Sequence, residues 1–280
     1  MHVNNGHSLH WQRHGRRGAT PVFFLHGGPG GKTLPDHLSF FDLRTMQVIL
    51  FDQRGCGRST PQGSLRENTA DASVDDIEAL RRHFDFDRVG LLGISWGSWL
   101  ALRYQQRYRA HVSWAVLACL FVPDEGTLGS HAGCMRKALQ RSRPHVSPES
   151  LYNDITSGVT ERERRAAWLW ARACLDANSM HMEDRILDAI IDEEAIHSLR
   201  IELHYHVNSY FGLVDYEPVV DVPSAVVQGR EDTLGMASLH WLKRRLSLRE
   251  YLCDAGHDAF HPAMLAAICE AVGVFARSIR

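Results

Sequence analysis

Short unbroken apolar runs alternate along this chain with longer stretches whose apolar positions recur at helical spacing. The runs at residues 22–25, 47–51, 88–92, 113–118 and 225–228 predict strands buried within a sheet, and residues 249–253 read as a further strand. Residues 69–84 suit an amphipathic helix, with Ala72, Val74, Ile77, Ala79, Leu80 and Phe84 inward and Asp71, Asp75, Asp76 and Glu78 on the exposed side. A second helix runs from Ser98 to about Arg107, a third holds Leu239, Trp241, Leu242 and Leu246, and a last one closes the chain. Strands and helices alternating in this way predict an α/β fold, a mostly parallel central sheet flanked by helices.

The alternation stops near Pro123 and resumes only after about Asp215. Between them lie helical stretches at 130–142, 162–176, 182–191 and 193–205, with no strand-like run of comparable quality. The expected organisation is therefore a catalytic domain of residues 1–122 and 215–280, interrupted by a helical cap at 123–214. A cap placed there would roof the site, exclude water and select substrates.

The apolar run 88–92 leads directly into Gly93-Ile94-Ser95-Trp96-Gly97, and a helix follows. Strand, G-x-S-x-G and helix in that order describe a nucleophile elbow, a turn so sharp that the serine is strained and its hydroxyl exposed. A serine hydroxyl becomes an effective nucleophile only with a base in reach and a group that orients the base. Gly229-Arg230-Glu231-Asp232 leaves strand 225–228, and Asp254-Ala255-Gly256-His257-Asp258 leaves strand 249–253. Serine, acid, histidine is the order of an α/β-hydrolase. Ser95 is thus the expected nucleophile, His257 the base and then the acid, and Asp232 the orienting carboxylate. Glu231 and Asp254 compete with Asp232; His240, inside a helix, and His261, at a helix start, compete less well with His257.

Strand 22–25 ends in His26-Gly27-Gly28-Pro29-Gly30-Gly31, where the backbone can turn sharply and approach a ligand. An H-G-G stretch here supplies an oxyanion-hole donor in α/β-hydrolases, so the N–H groups of Gly28 and Trp96 are expected to hold the oxyanion. A phosphate loop does not fit, because Lys32-Thr33 lacks the required spacing and Pro29 has no N–H. Residues 52–59 read as a tight turn braced by charge.

Composition narrows the partners. At 280 residues with 44% apolar and 23% charged positions, the chain can bury one large core with an inserted subdomain. A net charge of -2 gives no electrostatic reason to expect nucleic acid or an anionic membrane. The N-terminal residues lack the apolar core of a signal peptide, and no run is long enough to span a bilayer. Six scattered cysteines without a C-x-x-C pair suggest buried, reduced thiols in a cytoplasmic protein. The 17 histidines show no ligand spacing with a carboxylate, so no metal is expected. Oligomeric state is not legible from composition.

Residues 26–31, residues 51–61 and Ser95-Trp96-Gly97-Ser98 closely resemble the prolyl iminopeptidases, the proline iminopeptidase branch of the α/β-hydrolases. So do Asn68-Thr69, Val227-Gln228-Gly229-Arg230 with Asp232, and Ala255-Gly256-His257, all in order and spacing. The resemblance implies a cofactor-free serine peptidase that removes an N-terminal residue, usually proline, from short peptides. It also implies two cap glutamates that pair with the cationic α-amine of the substrate. Glu202, within Arg200-Ile201-Glu202-Leu203-His204-Tyr205-His206, matches one of them. Where the other is expected, the nearest match is Trp168-Leu169-Trp170-Ala171, and the carboxylate is missing. Gly27, Trp168, Trp170 and Tyr205 complete the residues expected around the substrate. The altered cap leaves open hydrolysis of a neutral ester, lactone or amide by the same serine. Dehalogenase and epoxide hydrolase chemistry needs a carboxylate at the elbow, and position 95 is serine.

Overall fold

The uninterrupted apolar runs form the inner strands of one seven-stranded sheet in a computed structural model that describes residues 1–124, 135, 137–140, 145–177, 181–209, 211–212, 216–219 and 221–278. The strands are β1 (Trp11–Gly15), β2 (Thr20–Leu25), β3 (Met46–Phe51), β4 (Val89–Ile94), β5 (Val112–Ala118), β6 (Ser224–Gly229) and β7 (Arg249–Cys253). Their order is β1-β3-β2-β4-β5-β6-β7, and every neighbouring pair is parallel except β1 with β3. The first strand has no counterpart among the apolar runs. Its sequence Trp-Gln-Arg-His-Gly is mostly polar, as befits a half-exposed edge strand.

Alternate side chains of the inner strands feed two cores. Phe23, Leu25, Ile49, Phe51 and Leu91 pack on one face with α1 (Ala70–His83), α2 (Trp96–Tyr108) and α7 (Thr233–Lys243). Val22, Phe24, Val48, Leu50 and Leu92 pack on the other with α8 (Pro262–Ser278). This is the doubly covered sheet that the alternation predicts.

Helix α1 corrects one expectation. Asp71 and Asp75 are outward, but Asp76 and Glu78 are buried. Arg54, itself buried, grips Asp76 through Nε to Oδ2 at 2.8 Å and an NH2 group to Oδ1 at 2.7 Å. Its remaining donors reach the carbonyls of Glu67 and Ala72. Glu78 accepts from Arg81, Arg82 and the Tyr104 hydroxyl. A charged residue can occupy an inward position when an opposite charge and hydrogen bonds meet it there; Arg81 and Arg82 stand three and four positions after Glu78, whereas helical spacing does not reveal Arg54 as the partner of Asp76.

Four described helices lie between β5 and β6: α3 (Pro148–Ile155), α4 (Thr160–Ala177), α5 (Asp184–Ile190) and α6 (Glu193–Asn208). The expected helix at 130–142 falls largely outside the described residues, although Met135 and residues 137–140 are helical. Helix α3 escapes periodicity analysis because two buried residues, Leu151 and Ile155, make too short a stripe. Together these helices build a third apolar cluster around Trp170, Leu169, Ile155 and Leu203.

Helix α6 faces three ways. Ile196 and Leu203 enter the third cluster, whereas Ile201 and Tyr205 enter the core of the sheet. Its backbone lies directly on the glycine loops. A Cβ at Gly30, which sits at φ +97, would collide with the Ser198 carbonyl, and one at Gly63 would strike the His197 ring.

The buried Arg54–Asp76 pair gives a direct test. Arg54→Leu leaves an uncompensated carboxylate and should cost about 3–5 kcal/mol, while adding Asp76→Leu should restore most of that loss. Urea midpoints at pH 7 measure both; a single variant as stable as the parent would contradict the account.

Candidate active site

Ser95 joins β4 to α2 at φ 54, ψ -121, a conformation that strains any residue with a side chain. The flanking glycines are there for space. A Cβ at Gly93 would meet the Gly97 carbonyl, and one at Gly97 would meet the Leu25 carbonyl. Ser98 fastens the turn from below: its hydroxyl donates to the Ser95 carbonyl at 2.6 Å and accepts from Phe121 N–H at 3.0 Å. Sequence reasoning assigned Ser98 no such role.

His257 arrives on the loop after β7. Its Nδ1 donates to Asp232 Oδ2 at 2.6 Å, and its Nε2 accepts from Ser95 Oγ at 3.0 Å. A carboxylate only accepts, so Nδ1 carries the proton and the Nε2 lone pair is left for the serine hydroxyl. Asp232 caps α7, accepting from Gly235 N–H at 2.9 Å, and takes a further bond from Gln228 Nε2 at 2.7 Å. Burial acts to raise its pKa, but the hydrogen bonds from His257, Gly235 and Gln228 hold it below the ordinary carboxylate value. Of the competing groups, Glu231 stands exposed and Asp254 faces Arg230 at 3.4 Å. His240 is exposed on α7, and His261 precedes α8.

Hydrogen bonds also stitch the three sequence motifs together. The Trp96 indole donates to Gln53 Oε1 at 2.9 Å, and Gln53 Nε2 donates to the His26 carbonyl at 2.9 Å. Gln53 N–H donates to His26 Nε2, leaving Nδ1 to donate to the Gly27 carbonyl. Burial lowers the His26 pKa, which keeps that ring neutral as these bonds require. Asp52 accepts from Thr33 N–H, the Thr33 hydroxyl and Arg58 N–H, the bracing expected of this turn. Gly27 packs behind Ser95, 3.4 Å from the serine Cβ as measured from the Cβ that Gly27 lacks, whereas Gly28 faces the open site.

A cavity of about 690 Å³ opens over Ser95, His257 and Gly28. Phe121, Phe211, Leu234 and Ala177 supply apolar wall, and Glu202, His206 and Glu231 supply polar wall. Glu202 and His206 lie one turn apart on α6 and so share a face. The Glu202 carboxylate is largely buried where it meets the cavity, and the Cys174 thiol donates to it at 3.7 Å. Burial raises its pKa to about 7, against the opposing pull of Cys174 and the Trp170 indole. Neither lysine nor arginine lines this cavity among the described residues.

Trp168, Trp170 and Tyr205, expected at the substrate, lie elsewhere. Trp168 lines a surface crevice on α4 with Leu169 and Arg172. Trp170 is buried in the third cluster, behind His206 with ring centroids 5.6 Å apart. Tyr205 is buried against Trp96 and Phe211, and its hydroxyl donates to Asn68 at 3.1 Å. Phe121 and Phe211 were not foreseen; Phe121 follows the end of β5, at the sheet edge where the other site loops gather, and that position was a usable signal. No group of three or more His, Cys, Asp or Glu side chains suited to a metal occurs among the described residues.

The strain at Ser95 can be measured. Glycine tolerates φ 54, ψ -121 and alanine does not, so Ser95→Gly should be more stable than Ser95→Ala by about 1 kcal/mol or more. Equal melting temperatures for the two would show an unstrained turn.

Residues 20–141 match the family described as the alpha/beta hydrolase fold. A proline iminopeptidase of Arabidopsis thaliana is 32% identical, over 95% of this chain and 76% of its own length. The probable proline iminopeptidase of Leptolyngbya boryana is 31% identical, over 96% of this chain and 91% of its own. Among solved structures, a proline iminopeptidase-related protein from Thermus thermophilus superposes with a TM-score of 0.63 at 23% identity, over 96% of this chain and 95% of that one. Likeness to these relatives over nearly the whole chain shows the family: the chain belongs to the proline iminopeptidases of the α/β-hydrolase fold.

Proposed function

We propose that this protein is a serine aminopeptidase that releases the N-terminal residue, proline preferred, from short peptides. The observation that carries this reading is the hydrogen-bonded chain Asp232–His257–Ser95, which opens into a cavity shared with the buried carboxylate of Glu202. Ser95 Oγ attacks the carbonyl carbon of the first residue while its proton passes to His257 Nε2, and Asp232 balances the imidazolium. The N–H groups of Gly28 and Trp96 hold the oxyanion; removing one such donor typically costs on the order of 10²–10³ in rate. Collapse breaks the C–N bond and His257 returns the proton to the leaving amine. A water, deprotonated by His257, then cleaves the acyl ester and frees the residue. The helical segment 123–214 acts as the cap over residues 1–122 and 215–280, with Phe121, Phe211 and Leu234 as the apolar wall for a compact ring.

Glu202 is the group on which the free amine rests. An α-ammonium drawn into this cavity must be paired, and Glu202 is the cap carboxylate that lines it. With a pKa near 7 it takes up a proton as the pH falls below neutrality, so KM for free-amine substrates should rise there. The substrate amine loses its proton above about pH 8, which sets the other limit. The folded-state pKa lies above the ordinary 4.5, so the folded chain binds this proton more tightly than the unfolded chain. Stability attributable to Glu202 is therefore present at low pH and lost as pH rises through about 7.

No helix among the described residues is long and apolar enough to cross a membrane. Five free cysteines among them, of which Cys56 and Cys119 are buried and Cys174, Cys253 and Cys269 only partly so, support a reducing, cytoplasmic setting. Ala171, in place of a second glutamate, favours a second reading, turnover of neutral esters or amides without amine recognition.

Rates on proline amide, alanine amide, N-acetyl-proline amide and a simple acyl ester decide between the readings. The proposal expects strong preference for the free proline amide and no turnover by Ser95→Ala; ester turnover indifferent to a free amine selects the second reading. Glu202→Gln should raise KM on free-amine substrates on the order of tenfold or more, with little change on the ester. The same variant should melt higher than the parent at pH 8 and equally at pH 4. Equal losses on both substrate types would remove Glu202 from amine binding.

A further inference from the structure

Gln228 is an amide that follows the apolar Ala225-Val226-Val227 within its strand, with no exposed surface. Its ends are not interchangeable. Oε1 accepts from Leu120 N–H at 2.8 Å, at the exit of β5, and a backbone N–H can only donate. Nε2 therefore faces Asp232 Oδ2, to which it donates at 2.7 Å, with a longer bond to the Gly229 carbonyl at 3.2 Å. Gly235 provides a second observation: a Cβ there would collide with Gln228 Nε2 and with Asp232 Oδ2. The bare glycine lets the first turn of α7 close over the amide and the carboxylate, while its own N–H holds Asp232 Oδ1.

We propose that Gln228 is a positioning residue for the Ser95–His257–Asp232 chain: anchored on Leu120, it fixes the Asp232 carboxylate so that Oδ2 meets His257 Nδ1, and it shares the charge of that oxygen. This inference rests on the catalytic reading of the chain given above. Oδ2 accepts from Gln228 and His257 together, and the carboxylate cannot turn without breaking one of these bonds. By drawing on the same oxygen, the amide also keeps Asp232 an acceptor that leaves the proton on His257 Nδ1.

Two variants test the proposal. Gln228→Met removes both ends of the amide, and Gln228→Glu keeps an acceptor for Leu120 N–H while an ionised carboxyl offers Asp232 no donor. Each is compared with the parent for melting temperature, for kcat and KM on the acyl ester, and for the pH profile. Folded Gln228→Met should lose on the order of ten- to a hundredfold in kcat with KM nearly unchanged. Its acid limb should move to higher pH, because the carboxylate has lost a competing donor. Gln228→Glu should recover activity towards low pH, where the introduced carboxyl carries a proton to donate, and lose it as pH rises. Parental kcat and pH profile in both folded variants would overturn the proposal, as would a fall in melting temperature and rate with no movement of either limb. Fluorophosphonate labelling of the parent separates the two levels: an unlabelled Ser95 would sink the catalytic reading itself, and this inference with it, whatever position 228 does.

Discussion

The absence of room around one turn governs this molecule. Ser95 can stand at the tip of β4 only because nothing projects from Gly93 or Gly97 into the carbonyls that crowd them. That crowding is the product of the parallel sheet, which sets β4 between β2 and β5 and so places the His26 loop and the Leu120–Phe121 exit on either side of the serine. The chemistry is thus assembled at the carboxyl ends of adjacent parallel strands, where loops converge while the strands below stay rigid.

Around that turn, polar side chains act as struts. Trp96, Gln53 and His26 tie the elbow to the loops after β2 and β3, and Ser98 ties it to the loop after β5. Gln228 then links β5 to the carboxylate that holds His257. Each of these buried groups is hydrogen-bonded, so the frame is held by directional bonds as well as by packing. A preorganised arrangement of this kind does not have to reorganise when charge develops on a reacting oxygen.

Much of this was legible in the sequence, for identifiable reasons. Inner strands are buried on both faces, so their runs are continuous, and the elbow combines a motif with a strand before it and a helix after it. The loop carrying Asp232 could be found because it follows such a run, whereas the loop carrying His257 follows β7, an edge strand whose signal is only the short stretch Tyr251-Leu252-Cys253. The edge strand β1 could not, since half of Trp11–Gly15 faces solvent and leaves no run. Asp76 was misplaced because its partner, Arg54, comes from another part of the chain; Glu78 pairs with Arg81 and Arg82 of its own helix, but its bond to Tyr104 and the burial that goes with it have no local signal. Aromatic residues expected at the substrate failed in the opposite direction. Tyr205 is one position away from His206, which lines the cavity, and a rotation of about 100° per residue separates a cavity wall from a core. Glu202 carried no local signal at all; only its likeness to a family pattern pointed to it.

Helix α6 divides its residues among the sheet core, the cavity and the third cluster, and it rests on glycines of the loops beneath it. Mechanically, then, it belongs to the body of the molecule as much as to the helices above. Variation among relatives has an obvious place to act. The segments α3 to α5 could be exchanged or lengthened, redrawing the cavity wall where α4 ends at Ala177, while α6 stays seated. Such a fold separates a part that must be inherited intact from a part free to diverge, and new substrate preferences could arise without disturbing the serine.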